Sequence, residues 1–290
     1  MKLIIKFNLV FIGIFVIGLL VAAKISYTLL QNNARDEIVQ NARIMLQAAL
    51  ASRSYTNAQV KPLLETQMKY QFLPQSLPAY AAAEIFKDLR TKFPDYTYKE
   101  ATLNPTNPRN RATDWETDVV NQFRGDESMA ELIGERDTPS GRSLYLARPI
   151  RIKDGACLVC HSTVEAAPKT MLELYGTAHG FGWKLNEAVG AQVVSVPTEV
   201  ALQRAGKTFT VFMWSLAGVF AFISVALNLM LTLMVIRPVT RLAKIADEVS
   251  LGDLDAPEFE HSGRDEIGAL ANAFERMRTS LVKALKMLET

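Results

Sequence analysis

The residues Cys157-Leu158-Val159-Cys160-His161 carry the densest chemistry in the chain. Two thiols two residues apart can each close a thioether on a porphyrin vinyl group, and the imidazole that follows can reach the iron, which is the pattern of c-type haem attachment. The same spacer also suits a disulfide or a redox-active pair. In that case the histidine would be a coincidence, and no thioredoxin-like surrounding pattern accompanies it. A closed structural zinc site wants four ligands, whereas these are the only two cysteines of the chain and have no companion pair. The expected cofactor is therefore one covalently bound haem c, with Cys157 and Cys160 as its anchors and His161 as an axial iron ligand.

The opposite axial position is open. Of the three histidines, His261 falls in a later segment, which leaves His179, 18 residues after the proximal one, as the spare imidazole. Met171, Met129 and Met68 offer a thioether instead, which would raise the potential; Tyr175 or a lysine would be less usual. A lone histidine in Ala178-His179-Gly180 is as often a solvated loop residue as a ligand. A further thiolate is excluded by the cysteine count. The run Asn104-Pro105-Thr106-Asn107-Pro108-Arg109-Asn110-Arg111 is turn chemistry that cannot continue a helix or a central strand. Its Arg109 and Arg111 suit bidentate contact with a haem propionate, or simply a solvated loop. Peroxidase-like or nitrite-handling catalysis would need an open iron face and a distal acid–base group, a part His179 could play; no catalytic residue is expected.

Elements must position this site. Residues 24–50 place Ile38, Ala42, Met45, Leu46 and Ala49 at helical spacing, and Ala81 to Lys92 reads as another helix. Tyr96 to Ala101, Arg142 to Ile152 and Val189 to Val196 are rich in aromatic or β-branched residues and bounded by Pro or Gly, as short antiparallel strands are. Two runs outside this mixed α/β part are long enough to cross a bilayer core of ~30 Å, which takes roughly 20 residues at helical rise. They are Leu3 to Ala23 and Phe209 to Ile236, the second with Asn228 as its one strongly polar residue. Lys2 and Lys6 at the start of the first, and Arg237, Arg241 and Lys244 after the second, place both termini in the cytoplasm and the segment between the runs outside it. Val21-Ala22-Ala23 resembles a signal-peptidase site, but the apolar stretch is longer than a signal core and the helix-like segment continues past it. With 32 basic and 30 acidic residues the net charge of +2 leaves no nucleic-acid footprint.

The turn segment Asn104 to Glu116, the strand Leu144-Tyr145-Leu146-Ala147-Arg148-Pro149-Ile150 that leads into the cysteine motif, Gly180-Phe181-Gly182-Trp183-Lys184-Leu185, and Gly190 to Pro197 occur in this order. Together they resemble a c-type haem sensor domain of bacterial membrane receptors, over roughly residues 30 to 205. The resemblance implies a PAS-like α/β domain, an antiparallel sheet with flanking helices and haem held beside it, and a sensing role with redox state or a small gas as stimulus.

After the second run, Arg237-Pro238 opens a helix with Val239, Leu242, Ile245, Ala246 and Val249 at 3–4 spacing. Gly252 to Pro257 breaks it, Asp265-Glu266-Ile267-Gly268 follows, and Ile267, Leu270, Phe274, Met277, Leu281, Leu285 and Leu288 form a coiled-coil seam. This resembles the HAMP linker, an all-α hairpin. Two short helices with one apolar stripe each cannot bury themselves alone, so a homodimer is expected. The expected organisation is 1–23 as cytoplasmic end and first span, 24–207 as periplasmic haem domain, 208–236 as second span and 237–290 as linker, in a bacterial inner membrane. No phosphate-cradling Gly-rich loop occurs, and the sequence stops at Thr290 at the end of the seam, so a separate cytoplasmic effector or a further segment is expected. A membrane-anchored cytochrome in electron transfer is the competing reading; it has no evident use for the linker.

Overall fold

The computed structural model describes residues 3–139, 141–253, 257, 259 and 265–288. Lys2, His261, most of the break between Gly252 and Pro257, and the side chains of Leu285 and Leu288 lie outside the described residues.

In chain order, α1 (Leu3–Tyr55) passes through a π-helical turn (Thr56–Val60) into α2 (Lys61–Met68), followed by α3 (Pro78–Leu89), β1 (Thr97–Thr102), α4 (Asp114–Gly125), β2 (Leu132–Thr138) and β3 (Gly141–Arg151). The short α5 (Leu158–His161) and α6 (Lys169–Tyr175) precede β4 (Ala188–Pro197). Then α7 (Glu199–Met230), a second π-helical turn (Leu231–Ile236), α8 (Arg237–Ser250) and α9 (Glu266–Leu288) complete the chain. Two compact units result, one of residues 25–209 and one of the residues up to Lys24 with those from Thr210 onward.

In the first unit the four strands form one antiparallel sheet in the order β1-β4-β3-β2. Side chains alternate across a strand, so each strand of this sheet feeds two cores. On one face Tyr98, Leu144, Leu146, Val194 and Val196 meet Ile38, Ala42, Leu46 and Ala49 of α1 and Ala82 and Phe86 of α3. On the other, Ala101, Ala147, Ala191 and Val193 meet Val119, Val120 and Phe123 of α4. Covered on both sides, β4 is buried from Ala188 to Val196. That accounts for its near-continuous apolar run, and for Gln192 and Ser195 being buried with it.

Among the elements that went unread in the sequence are β2 and α4. The strand β2, Leu-Ile-Gly-Glu-Arg-Asp-Thr, lies at a sheet edge and carries neither alternation nor a β-branched run. The helix α4 does carry a signal, a capping box in which Thr113 and Glu116 satisfy each other's backbone.

Two continuous helices, Ile4–Met68 and Glu199–Ser250, are long and apolar enough to cross a membrane, with mean hydropathies of 2.6 and 2.5 over their most apolar stretches, none of which is buried. In the second unit Asn8 and Asn228 face each other and exchange two side-chain hydrogen bonds of 2.8 Å each. Pro238 sits in the first turn of α8, and Gly252, with φ +100, follows two residues after its last, Ser250. The Asp265 carboxylate caps α9 by accepting the Gly268 amide at 2.9 Å. Leu242, Ile245 and Val249 are buried, with Phe259 and Phe274 packed on the latter two. Leu270, Met277 and Leu281, on the α9 seam, stay exposed.

Phe123 is fully buried between α4 and the sheet. Phe123→Ala is expected to lower unfolding stability by about 3–5 kcal/mol, measured by chemical denaturation followed through Trp fluorescence. An unshifted midpoint would mean that α4 does not hold the sheet.

Candidate functional site

The chain leaves the sheet where the β3–β4 register shifts between Ile150 and Arg151. The Ile152 amide donates to the Glu187 carbonyl at 3.1 Å, and the Asp154 carboxylate accepts the Ala156 amide at 2.9 Å, starting the tight turn Gly155–Cys157 that runs into α5. On that single helical turn Cys157, Cys160 and His161 fall at i, i+3 and i+4, hence on one face. Both thiols are free and half-buried, and burial pushes the Cys160 thiol above its ordinary value.

His161 is held from several directions. Its Nδ1 donates to the Gly180 carbonyl at 2.7 Å and lies 3.5 Å from Thr106 Oγ1, while its ring stacks on Trp183 with centroids 4.0 Å apart. The Trp183 and Gly182 amides donate to the His161 and Ser162 carbonyls. Asn104 clamps the facing strand of chain, accepting from the Gly180 amide at 3.3 Å and donating to the Phe181 carbonyl at 3.2 Å. Only glycine fits at 180: φ is +90, and a Cβ would stand 2.0 Å from Thr106 Oγ1 and 2.9 Å from Thr106 Cα. A carbonyl can only accept, so Nδ1 carries the proton and Nε2 keeps its lone pair. Burial pushes the His161 pKa down, with the Gly180 contact opposing it, so the ring is neutral at pH 7.

These groups line a cavity of about 560 Å³, within the range of cofactor pockets. Phe72, Ile150, Ile152 and Met171 give it apolar wall, and Arg53, Lys61 and Arg109 bring positive charge. Arg53 is paired with the buried Glu100, which also accepts the Tyr98 hydroxyl at 2.7 Å. Burial, then the charge of Glu100, pushes the Tyr98 pKa up. Arg109 pairs with Glu84 and lies over the Tyr80 ring, its guanidinium carbon 4.8 Å from the centroid. Lys61 has no carboxylate partner among the described residues.

Of the residues singled out in the sequence, the structure brings Cys157, Cys160, His161, Arg109, Met171 and Tyr175 to the same cavity. Arg111 is not among its lining residues; its carbonyl accepts Lys99 Nζ at 2.8 Å. His179 is exposed and does not line it either. The Met68 sulfur accepts the Leu73 amide at 3.0 Å, and Met129 packs on the α4 face of the sheet. Arg53, Lys61, Glu100, Asn104, Thr106 and Trp183 were given no role from sequence. The Gly-Phe-Gly-Trp run was a visible signal, but its role in holding His161 depends on a carbonyl and a glycine dihedral. Two thiols and a neutral imidazole with a free Nε2, beside an apolar cavity with cations for carboxylates, form a donor set that fits a thioether-bound haem.

Residues 31–197 match the Tll0287-like family, and residues 230–283 match the HAMP domain. Among solved structures, the crystal structure of the cyanobacterial heme-protein Tll0287 is similar at 16% identity and a TM-score of 0.43, covering 56% of this chain and 95% of that one. No curated protein matches.

The Gly180 contact raises the His161 pKa against burial. Burial is the larger effect, so in the cofactor-free chain the His161 imidazole is expected to titrate below the ordinary histidine value, read from its ring proton resonances. A midpoint at or above that value would show that burial does not govern the ring.

Proposed function

The chain belongs to the Tll0287-like family and carries a HAMP domain, and on that premise we propose that it is a membrane-bound sensor holding one haem c. Cys157 and Cys160 anchor the haem, and His161 Nε2 ligates its iron. The observation that carries this reading is the free Nε2 of a neutral imidazole on the same helical turn as two free thiols, all lining one cavity.

Once bound, the haem supplies an iron centre whose charge and coordination change on reduction or on binding a small gas. The protein's own residues set the surroundings. The Gly180 carbonyl fixes the His161 tautomer and raises its basicity as a ligand, Trp183 fixes the ring plane, and Phe72, Ile150 and Ile152 keep the wall dry. Lys61 and Arg109 are the cations placed to take propionates. Met171 and Tyr175 line the cavity whereas His179 does not, so a second protein ligand to the iron would come from a residue other than His179, or an external ligand would take its place.

The domain is PAS-like and lies in the periplasm between two membrane spans, with both termini in the cytoplasm. Two long helices whose most apolar stretches are unburied support the spans. β4 ends at Pro197 and α7 begins at Glu199, so the chain passes from the sheet into the second apolar helix within two residues. A two-state linker responds only by the differential energy that the haem's states supply. The exposed Leu270, Met277 and Leu281 of α9 are the surface a second copy would cover, and the signal goes on to a separate effector. The role is sensing and not catalysis.

Wild-type protein matured with c-type haem machinery is expected to retain haem on a denaturing gel, and Cys157→Ala with Cys160→Ala to lose it. Haem absent from the wild type would remove the basis of the proposal. His161→Ala is expected to disturb the iron spectrum far more than His179→Ala; equal disturbance would mean coordination by both imidazoles. Cysteines introduced at Leu242 or Phe274 are expected to crosslink between copies at rates that differ among oxidised, reduced and gas-exposed membranes. Identical rates with the haem demonstrably switching would favour a membrane cytochrome in electron transfer.

A further inference from the structure

A second recess of about 460 Å³ opens at the edge of the same sheet. Thr97 and Lys99 of β1 and Val193 and Ser195 of β4 floor it, paired in register as Thr97 with Ser195 and Lys99 with Val193. These residues alternate with Tyr98, Glu100 and Val194, so the floor lies on the opposite face from the thiols, while at the open edge the recess reaches Tyr98, Arg109 and Asn110, the last two shared with the cavity of the thiols.

Its wall is preorganised. Gly134 stands opposite Tyr145, and a Cβ there would meet the Tyr145 hydroxyl at 2.4 Å, so the glycine lets that ring lie across β2. Tyr145 backs Trp115 with centroids 5.2 Å apart, and the Arg136 guanidinium rests on Trp115 at 4.3 Å. Arg136 thus has its position fixed by a ring and not by an acid.

The charges around the recess do not balance. Lys99 is neutralised by Glu116 at 2.6 Å, and Glu116 further accepts the Thr113 amide and hydroxyl. No carboxylate among the described residues pairs with Arg136 or Arg90, and Lys87 holds Glu84 only at 3.8 Å, sharing it with Arg109. The recess therefore combines guanidinium donors that no described carboxylate takes, hydroxyls from Thr97 and Ser195, and apolar surface from Trp115 and Val193.

We propose that this recess is a binding site for a small organic acid with an aromatic or apolar body, its carboxylate taken by Arg136 and its body laid against Trp115 and Val193. A planar guanidinium suits a carboxylate bidentately. The volume and the apolar lining exceed what an inorganic anion would use. The site uses neither thiol and gives the sensor a second, chemically distinct input, with Arg109 at the rim shared with the cavity of the thiols.

Benzoate is the probe, titrated into the purified full chain by calorimetry at fixed ionic strength, with benzylammonium and inorganic phosphate as controls. Saturable binding of one benzoate per chain is expected, with no binding of benzylammonium and no competition by phosphate. Cys157→Ala with Cys160→Ala should leave benzoate binding unchanged, so failure of the haem reading and failure of this one are separable. Arg136→Gln should weaken binding by at least about tenfold, as losing a hydrogen bond to a charged group does. Arg90 is exposed, and Arg90→Gln should also weaken binding, which keeps the test decisive if Arg136→Gln fails to fold. No saturable benzoate binding, displacement by equimolar phosphate, or wild-type affinity in folded variants would overturn the proposal.

Discussion

The hydrogen bond from His161 Nδ1 to the Gly180 carbonyl is what the rest of the site is built around. It decides which ring nitrogen carries the proton, and so which one presents a lone pair. A carbonyl can be aimed so accurately only if its own peptide is pinned, and Asn104 pins it from both sides by taking the Gly180 amide and giving to the Phe181 carbonyl. That clamp draws the turn after β1 against the segment after α6, two stretches some 76 residues apart in sequence. Thr106 then fills the space a side chain at 180 would need. The glycine is thus demanded by its dihedral and by close approach together.

The sheet serves this arrangement by being thin and covered twice. One face packs on α1 and α3, the other on α4, so β3 can deliver the cysteine turn at its end while β4 stays buried throughout. The register shift at Ile150 and Arg151 is where delivery happens. A bulge redirects a strand without ending the sheet, and Ile150 and Ile152 both line the cavity just beyond it.

Much of this was legible in the chain. Strands with β-branched or aromatic content, such as Val189 to Val196, declared themselves because burial on both faces selects those residues. The helical spacing of Ile38, Ala42, Leu46 and Ala49 declared α1 for the same reason. The polar edge strand β2 did not, since its partner β3 supplies most of the apolar contact. The cysteine motif was readable because covalent chemistry fixes residue type and spacing. The cations were not: Arg109 lines the cavity and Arg111 does not, though both sit in one turn, and Arg53 and Lys61 arrive from helices about 50 residues upstream of that turn. Which arginine faces a cavity is a property of tertiary placement, on which local spacing is silent. His179 shows the same limit, since being a spare imidazole says nothing about exposure.

Strand β1 links the two faces more tightly than packing alone would. Its neighbours Lys99 and Glu100 point to opposite sides, and each takes an ion pair from a different helix: Glu100 from Arg53 near the end of α1, Lys99 from Glu116 in the first turn of α4. Both carboxylates retain only 6% side-chain exposure. Separating either pair would strand a buried charge, which is far more costly than losing an exposed bridge. An edge strand gripped this way cannot shift toward one helix without loading the other pair a single residue away. Glu100 lines the cavity of the thiols and Lys99 the recess on the far face, so a change of charge in either space acts on the same short strand and, through it, on both helices.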